Sequence, residues 1–125
     1  MRVLFLDDDD RRHKEFKRAA VGAVIDRAFC AREAILLLQG NDYDRVYLDH
    51  DLDDDPAARE MDDYESGQVV ADWLAENAAG RQGCLFVIHS RCKPGADAMQ
   101  GTLRSAGLRV IIGEWNWRVD EPGSR

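Results

Sequence analysis

Short apolar runs that end in acids alternate along this chain with stretches whose apolar residues recur every three or four positions. Val3-Leu4-Phe5-Leu6 is the first such run and stops abruptly at Asp7, as a buried strand would. Positions 11 to 22 then carry Phe16, Ala19 and Ala20 at i, i+3 and i+4 among basic residues, which predicts a helix ended by Gly22. Positions 23 to 29 read as a second strand. Positions 32 to 39 carry Ala34, Ile35, Leu37 and Leu38 and predict a helix stopped at Gly40-Asn41. A third strand over 45 to 48 again runs into acids.

The polar span from 51 to 66 predicts a loop longer than the usual connection between elements, a length that goes with function or disorder. Beyond it, Val69, Val70, Trp73 and Leu74 share one face of a helix over 67 to 77, and Leu85-Phe86-Val87-Ile88 is a fourth strand. Pro94 suits the first turn of a helix through Ala106 that Gly107 closes, and positions 109 to 112 make a fifth strand. No amphipathic helix follows over 113 to 125. Strands alternating with helices predict an α/β protein: a three-layer α-β-α sandwich around a five-stranded parallel sheet, with right-handed crossovers. The expectation is one domain over 1 to 118 and a disordered tail over 119 to 125.

Composition changes this picture only through position. The chain has 125 residues, 45% of them hydrophobic, enough to bury a core without staples. Its 24 acids against 17 Lys and Arg give a net charge of -7, which excludes a grip on long nucleic acids or anionic membranes through bulk charge. Fifteen of those 24 acids crowd into positions 7 to 10 and 42 to 65, a concentration that suggests cation binding. Cys30, Cys84 and Cys92 match no CxxC motif, and Cys84, opening an apolar run, reads as a core thiol. No charged-then-apolar leader opens the chain and no apolar run approaches the roughly 18 residues that span a bilayer. A reducing cytoplasm is the expected compartment.

In open parallel sheets, ligands bind beyond the carboxyl ends of the strands. Strand one ends at Asp7 to Asp10, strand three at Asp49-His50-Asp51 and strand four at His89-Ser90. Adjoining ends would gather carboxylates that must protonate or share a cation. Few hard oxygen ligands describe a Mg2+ or Mn2+ site, with Asp7, Asp8, Asp49 and Asp51 as the candidate ligands. Asp9 or Asp10 serves as a helix N-cap. His50 and His89 are candidate general acid-base groups, and Asp49 would either ligate or attack. Ser90 and Lys93, at the start of the fourth helix, and Arg12 and His13, one turn from the first acids, are candidate phosphate ligands. For Arg12 and His13 the plain alternative is a charged helix face. Trp115 and Trp117 suit edge packing or base stacking.

The runs Leu4-Phe5-Leu6-Asp7-Asp8 and Val46-Tyr47-Leu48-Asp49 resemble the response-regulator receiver family, which implies a flavodoxin-like sheet of order 2-1-3-4-5. That resemblance implies magnesium on Asp7 and Asp8 and a phospho-accepting Asp49, with Asp51 a further ligand. The chain departs from receivers at His89, where a small hydroxyl residue is expected. It also lacks a lysine after strand five and the last helix, which points away from ordinary phosphorelay switching. A closer resemblance is to the cyclic-phosphate-processing receiver domains. It is carried by Arg12-His13 after Leu6-Asp7-Asp8, by Tyr47-Leu48-Asp49-His50-Asp51-Leu52, by Gly67 with Val70 and Trp73-Leu74, and by Ile88-His89-Ser90 with Pro94, Gly95, Ala96 and Met99.

The resemblance implies processing of cyclic phosphate ends, such as 2′,3′-cyclic phosphate on RNA or cyclic nucleotides. The expected function is therefore a divalent-metal-dependent phosphoesterase whose partner is a phosphate-containing small molecule or an RNA terminus. The alternative is a non-enzymatic module that accepts phosphate at Asp49 or binds a signalling partner.

Overall fold

A computed structural model describes residues 1–52 and 66–113. Among the described residues five strands and four helices alternate: β1 (Arg2–Leu6), α1 (Asp10–Ala19), β2 (Val24–Ala28), α2 (Ala31–Gly40), β3 (Arg45–Leu48), α3 (Gly67–Glu76), β4 (Leu85–Ile88), α4 (Lys93–Ser105) and β5 (Arg109–Ile112). Every strand pair is parallel and the sheet order is β2-β1-β3-β4-β5. This is the α/β architecture and the order 2-1-3-4-5 that the sequence implies, with element bounds displaced by at most a few residues. The expected absence of a last helix, the Trp115 and Trp117 pair, the boundary near 118 and most of the acidic loop fall on residues 53–65 and 114–125, outside the described residues.

The period of two along the strands sorts side chains to two cores. Val3, Phe5, Tyr47 and Val87 point to one face, where Phe16 and Ala20 of the α1 segment meet them. Leu4, Leu6, Val46, Leu48, Phe86 and Ile88 point to the other, against α2, α3 and α4 through residues such as Leu38, Leu74, Met99 and Leu103. Strands buried on both faces read as continuous apolar runs, which is why β1, β3 and β4 were legible.

Local chemistry sets the ends. Asp9 is the α1 N-cap, its side chain accepting from the Arg11 N–H at 2.8 Å. Ser66 does the same for α3 through Gln68. The signal at Gly40-Asn41 works through the asparagine, whose side-chain amide donates to the Leu37 carbonyl at 3.0 Å. After α4, Gly107 takes φ +83°, a left-handed turn that an L side chain resists. Cys84 lies in the core, and burial pushes its thiol up to about 12.

Candidate active site

Strand register brings three chain segments level with one another. Phe5 pairs with Tyr47, so two residues on, Asp7 emerges beside Asp49; Leu48 pairs with Ile88, so Asp49 emerges beside His89. Backbone bonds carry the alignment past the strand ends, with the Asp7 N–H donating to Ala28 and the His89 N–H to Leu48. The carboxylates of Asp7, Asp8 and Asp49 converge there, one oxygen from each lying within 4.8 Å of the others. Asp7 and Asp49 are buried and Asp8 is half-buried.

One cation already sits among these acids. Arg12, one turn into α1, donates from Nε to one oxygen of Asp7 and from Nη2 to the other, both at 2.8 Å. The same guanidinium lies 3.4 Å from Asp8, 3.5 Å from Asp9 and 3.7 Å from Asp49. Among the described residues, this guanidinium is the cation that lies against Asp7 and Asp49. Burial, then the nearby charges of Asp7, Asp8 and Asp51, push the Asp49 carboxyl up to about 7 against the pull of Arg12.

The histidines divide by environment. His13 is buried between Phe5 and Phe29, its ring centroid 4.1 Å from that of Phe29. Its Nδ1 accepts from Arg27 Nε at 3.3 Å, so Nε2 carries the proton and donates to the Asp7 carbonyl at 2.8 Å. With both nitrogens engaged and burial lowering its pKa, His13 braces the acidic turn. His89 lies flat on Phe5 with ring centroids 5.1 Å apart, and its Nδ1 is 3.7 Å from Asp7. Burial drives His89 down to about 4, so it is neutral near pH 7, and its buried Nε2 finds no hydrogen-bond partner among the described residues.

His50 is the imidazole that solvent reaches, with 21% of its side chain exposed. Its Nδ1 meets Asp51 Oδ1 at 2.9 Å; an ionised Asp51 accepts, which leaves Nε2 as the basic nitrogen. Two glycines make room for this turn. A Cβ at Gly95 would lie 2.5 Å from the His50 ring, and one at Gly67 would collide with the Asp49 carbonyl. The backbones of α3 and α4 thus pack directly on the Asp49-His50 segment.

The sequence model of the cyclic-phosphate processing receiver domain matches residues 2–105. The chain belongs to that family. No curated protein matches the sequence. Among solved structures it is similar to receiver domains. The response regulator TrrA from Thermotoga maritima, in complex with Mg2+ and BeF, shares 19% identity at TM-score 0.64 over 93% of this chain and 89% of that one. The Francisella response regulator 1452 receiver domain shares 21% identity at TM-score 0.60 over 89% and 82%. A Burkholderia pseudomallei response regulator with a phosphorylated aspartic acid, a calcium ion and citrate shares 15% identity at TM-score 0.63 over 89% of this chain and 58% of that one. At such identities the likeness is one of fold.

In this cyclic-phosphate processing receiver domain the expected ligands are distributed unevenly. Asp7, Asp8 and Asp49 form one cluster, whereas Asp51 groups with His50 and with Cys92, a residue whose spacing matched no motif. Only the fold brings Cys92 there. Ser90 Oγ accepts from the Cys92 N–H at 3.1 Å and shapes the turn into α4. The Lys93 side chain is exposed, with Nζ 3.7 Å from Asp97, and shares with Ser90, Arg104 and Ile111 a cleft of about 520 Å³ on the α4–β5 flank. The donor set of the acidic cluster, three converging carboxylates, fits a hard divalent cation.

Proposed function

We propose that this receiver domain is a divalent-cation-dependent phosphoesterase that opens cyclic phosphates, on small nucleotides or at RNA ends. The observation that carries this reading is the convergence of Asp7, Asp8 and Asp49, with the imidazole of the next residue, His50, open to solvent. Asp7, Asp8 and Asp49 would hold Mg2+ or Mn2+. The cation in TrrA and the calcium in the Burkholderia regulator support a divalent ion on this fold. Such an ion polarises a phosphoryl oxygen and offsets charge developing on it.

The chain's own groups supply the rest. His50, held by Asp51 at Nδ1 and by Gly95 across its ring, takes a proton from the attacking water at Nε2 as the water oxygen bonds to phosphorus and one ring P–O ester bond breaks. The departing sugar oxygen takes its proton from solvent. His89 stays neutral and lies against Asp7, so it positions the carboxylate without adding charge. Asp49 either ligates the cation or attacks phosphorus; burial and the neighbouring acids push its carboxyl up to about 7, so a bound cation would favour the ionised form that either role needs. Ser90 and Lys93, at the start of α4, are the candidates for steadying phosphate oxygens. An acidic protein can hold an RNA terminus in this way because the cation, not bulk basic charge, meets the phosphate. Three free thiols fit work in the cytoplasm.

Purified protein with Mg2+ or Mn2+ should hydrolyse a 2′,3′-cyclic nucleotide or an RNA oligomer with that end, and Asp49→Asn should lose about 100-fold or more of kcat. Absence of turnover across these substrates, with stable labelling of Asp49 by a small phosphodonor, would instead establish a phospho-accepting module.

A further inference from the structure

We propose that His50, Asp51 and Cys92 form a second cation site, suited to a transition metal of the zinc class and separate in its donors from the acidic cluster. One nitrogen of His50, a carboxylate oxygen of Asp51 and the Cys92 sulfur all lie within 4.8 Å of one another. In a tetrahedral zinc site, bonds of about 2.0 to 2.3 Å place ligand atoms about 3.5 Å apart, so small side-chain rotations close the triangle. All three residues are half-buried, which leaves an open side for water or substrate.

Two features of the turn set where these side chains lie. Cys92 occupies the N-cap of α4, a position where Ser, Thr, Asp or Asn ordinarily bonds the first N–H groups, yet its side chain makes no capping bond. Ser90 supplies the hydroxyl that receives the Cys92 N–H, leaving the thiol free of that task. The His50 ring, meanwhile, lies so close to Gly95 that any side chain there would displace it. The ring is held on one side by the α4 backbone and at Nδ1 by Asp51, with the thiol nearby.

Donor chemistry separates the two sites. Three carboxylates are hard ligands and favour magnesium or manganese, whereas a thiolate with an imidazole favours zinc, cobalt or copper. A coordinated thiol is deprotonated by the metal itself. Because His50 is also the proton carrier of the proposed hydrolysis, zinc here should inhibit turnover supported by magnesium. That consequence rests on the phosphoesterase reading; binding does not.

The test is titration of the full chain with Zn2+ and with Co2+ in saturating Mg2+. Wild type, Cys30→Ser and Asp49→Asn should each bind one equivalent of Zn2+, and with Co2+ each should show sulfur-to-cobalt charge-transfer absorption in the near ultraviolet. Cys92→Ser should lose that absorption and weaken Zn2+ binding by about 100-fold or more, since altering even an outer-sphere partner costs about 10- to 100-fold. His50→Gln should weaken it similarly while both variants keep the wild-type circular dichroism. Failure of wild type to bind Zn2+, charge transfer that survives Cys92→Ser, or Zn2+ binding abolished by Asp49→Asn but not by Cys92→Ser would overturn the proposal. None of these outcomes depends on whether cyclic phosphates are hydrolysed.

Discussion

The two ends of the sheet handle charge in opposite ways. At the amino end, Asp26 accepts from Arg2 at 2.9 Å and from the Tyr43 hydroxyl at 2.6 Å, while Asp44 accepts from the Arg2 N–H at 2.7 Å. Asp26 and Asp44 both have donors, and burial with the bond to Asp26 raises the Tyr43 pKa so that the phenol keeps its proton. At the carboxyl end, the carboxylates of Asp7, Asp8 and Asp49 converge around Arg12, and burial with the neighbouring acids pushes Asp49 up to about 7. The first arrangement contributes to stability. The second places like charges close together, and replacing one acid relieves that repulsion.

The largest expected effect follows from Asp49. Its folded pKa of about 7 stands above the ordinary value of 3.8, so the folded state keeps a proton the unfolded chain has released. Its contribution therefore falls as pH rises from about 4 to about 7 and stays low above that. Asp49→Asn should stabilise the cation-free protein by up to about 4 kcal/mol at pH 8 and by nearly nothing at pH 4, measured by urea unfolding. His89 acts with the opposite sign. Its pKa is held near 4, below the ordinary 6.5, so its contribution is full above about 6.5 and lost as pH falls toward 4. The Asp49→Asn protein should thus gain stability as pH rises from 4 to 6.5, where the wild-type curve is flatter. A pH-independent difference between the two proteins would remove the contrast between the sheet ends.

Next in size is Arg12→Met, which strands the buried Asp7 carboxylate and should cost about 3 kcal/mol without divalent ions. Excess Mg2+ should restore much of that loss, seen as a larger Mg2+-dependent rise in Tm than in wild type. No added response would mean that the acids do not accept a cation in place of the guanidinium. Gly67→Ala should cost about 2 kcal/mol by forcing α3 away from the Asp49 carbonyl, and should lower hydrolysis together with stability. Smallest is Tyr43→Phe at the other end. It should lose about 1.5 kcal/mol through the missing bond to Asp26, with kcat for cyclic-phosphate hydrolysis unchanged. A stability gain in Tyr43→Phe would show that both ends are built alike.

Much of this was legible in the chain itself, and the reasons are particular. β1, β3 and β4 appear as apolar runs because both faces are covered, and the acids that follow them mark their carboxyl ends. Asp7 and Asp49 stand directly after such runs, and Asp8 follows Asp7. His13 shows what sequence conceals: beside Arg12 it reads as a phosphate ligand, yet its ring is packed between two phenylalanines with both nitrogens engaged. Arg12 likewise reads as an anion ligand, and the fold turns it onto Asp7. The spacing from His50 to Cys92 corresponds to no motif, so only the approach of α4 to the turn after β3 reveals their proximity.

The sequence by itself determined the alternation of elements, the parallel sheet, the family and the strand ends where acids collect, because periodicity and apolar runs are local properties of the chain. Tertiary structure decided which of those acids meet, which two histidines are buried and which one is open, and which cysteine lies beside it. Those outcomes depend on strand register and on two helix backbones pressed against the turn at Asp49 and His50, contacts between residues far apart in the chain that no local pattern encodes.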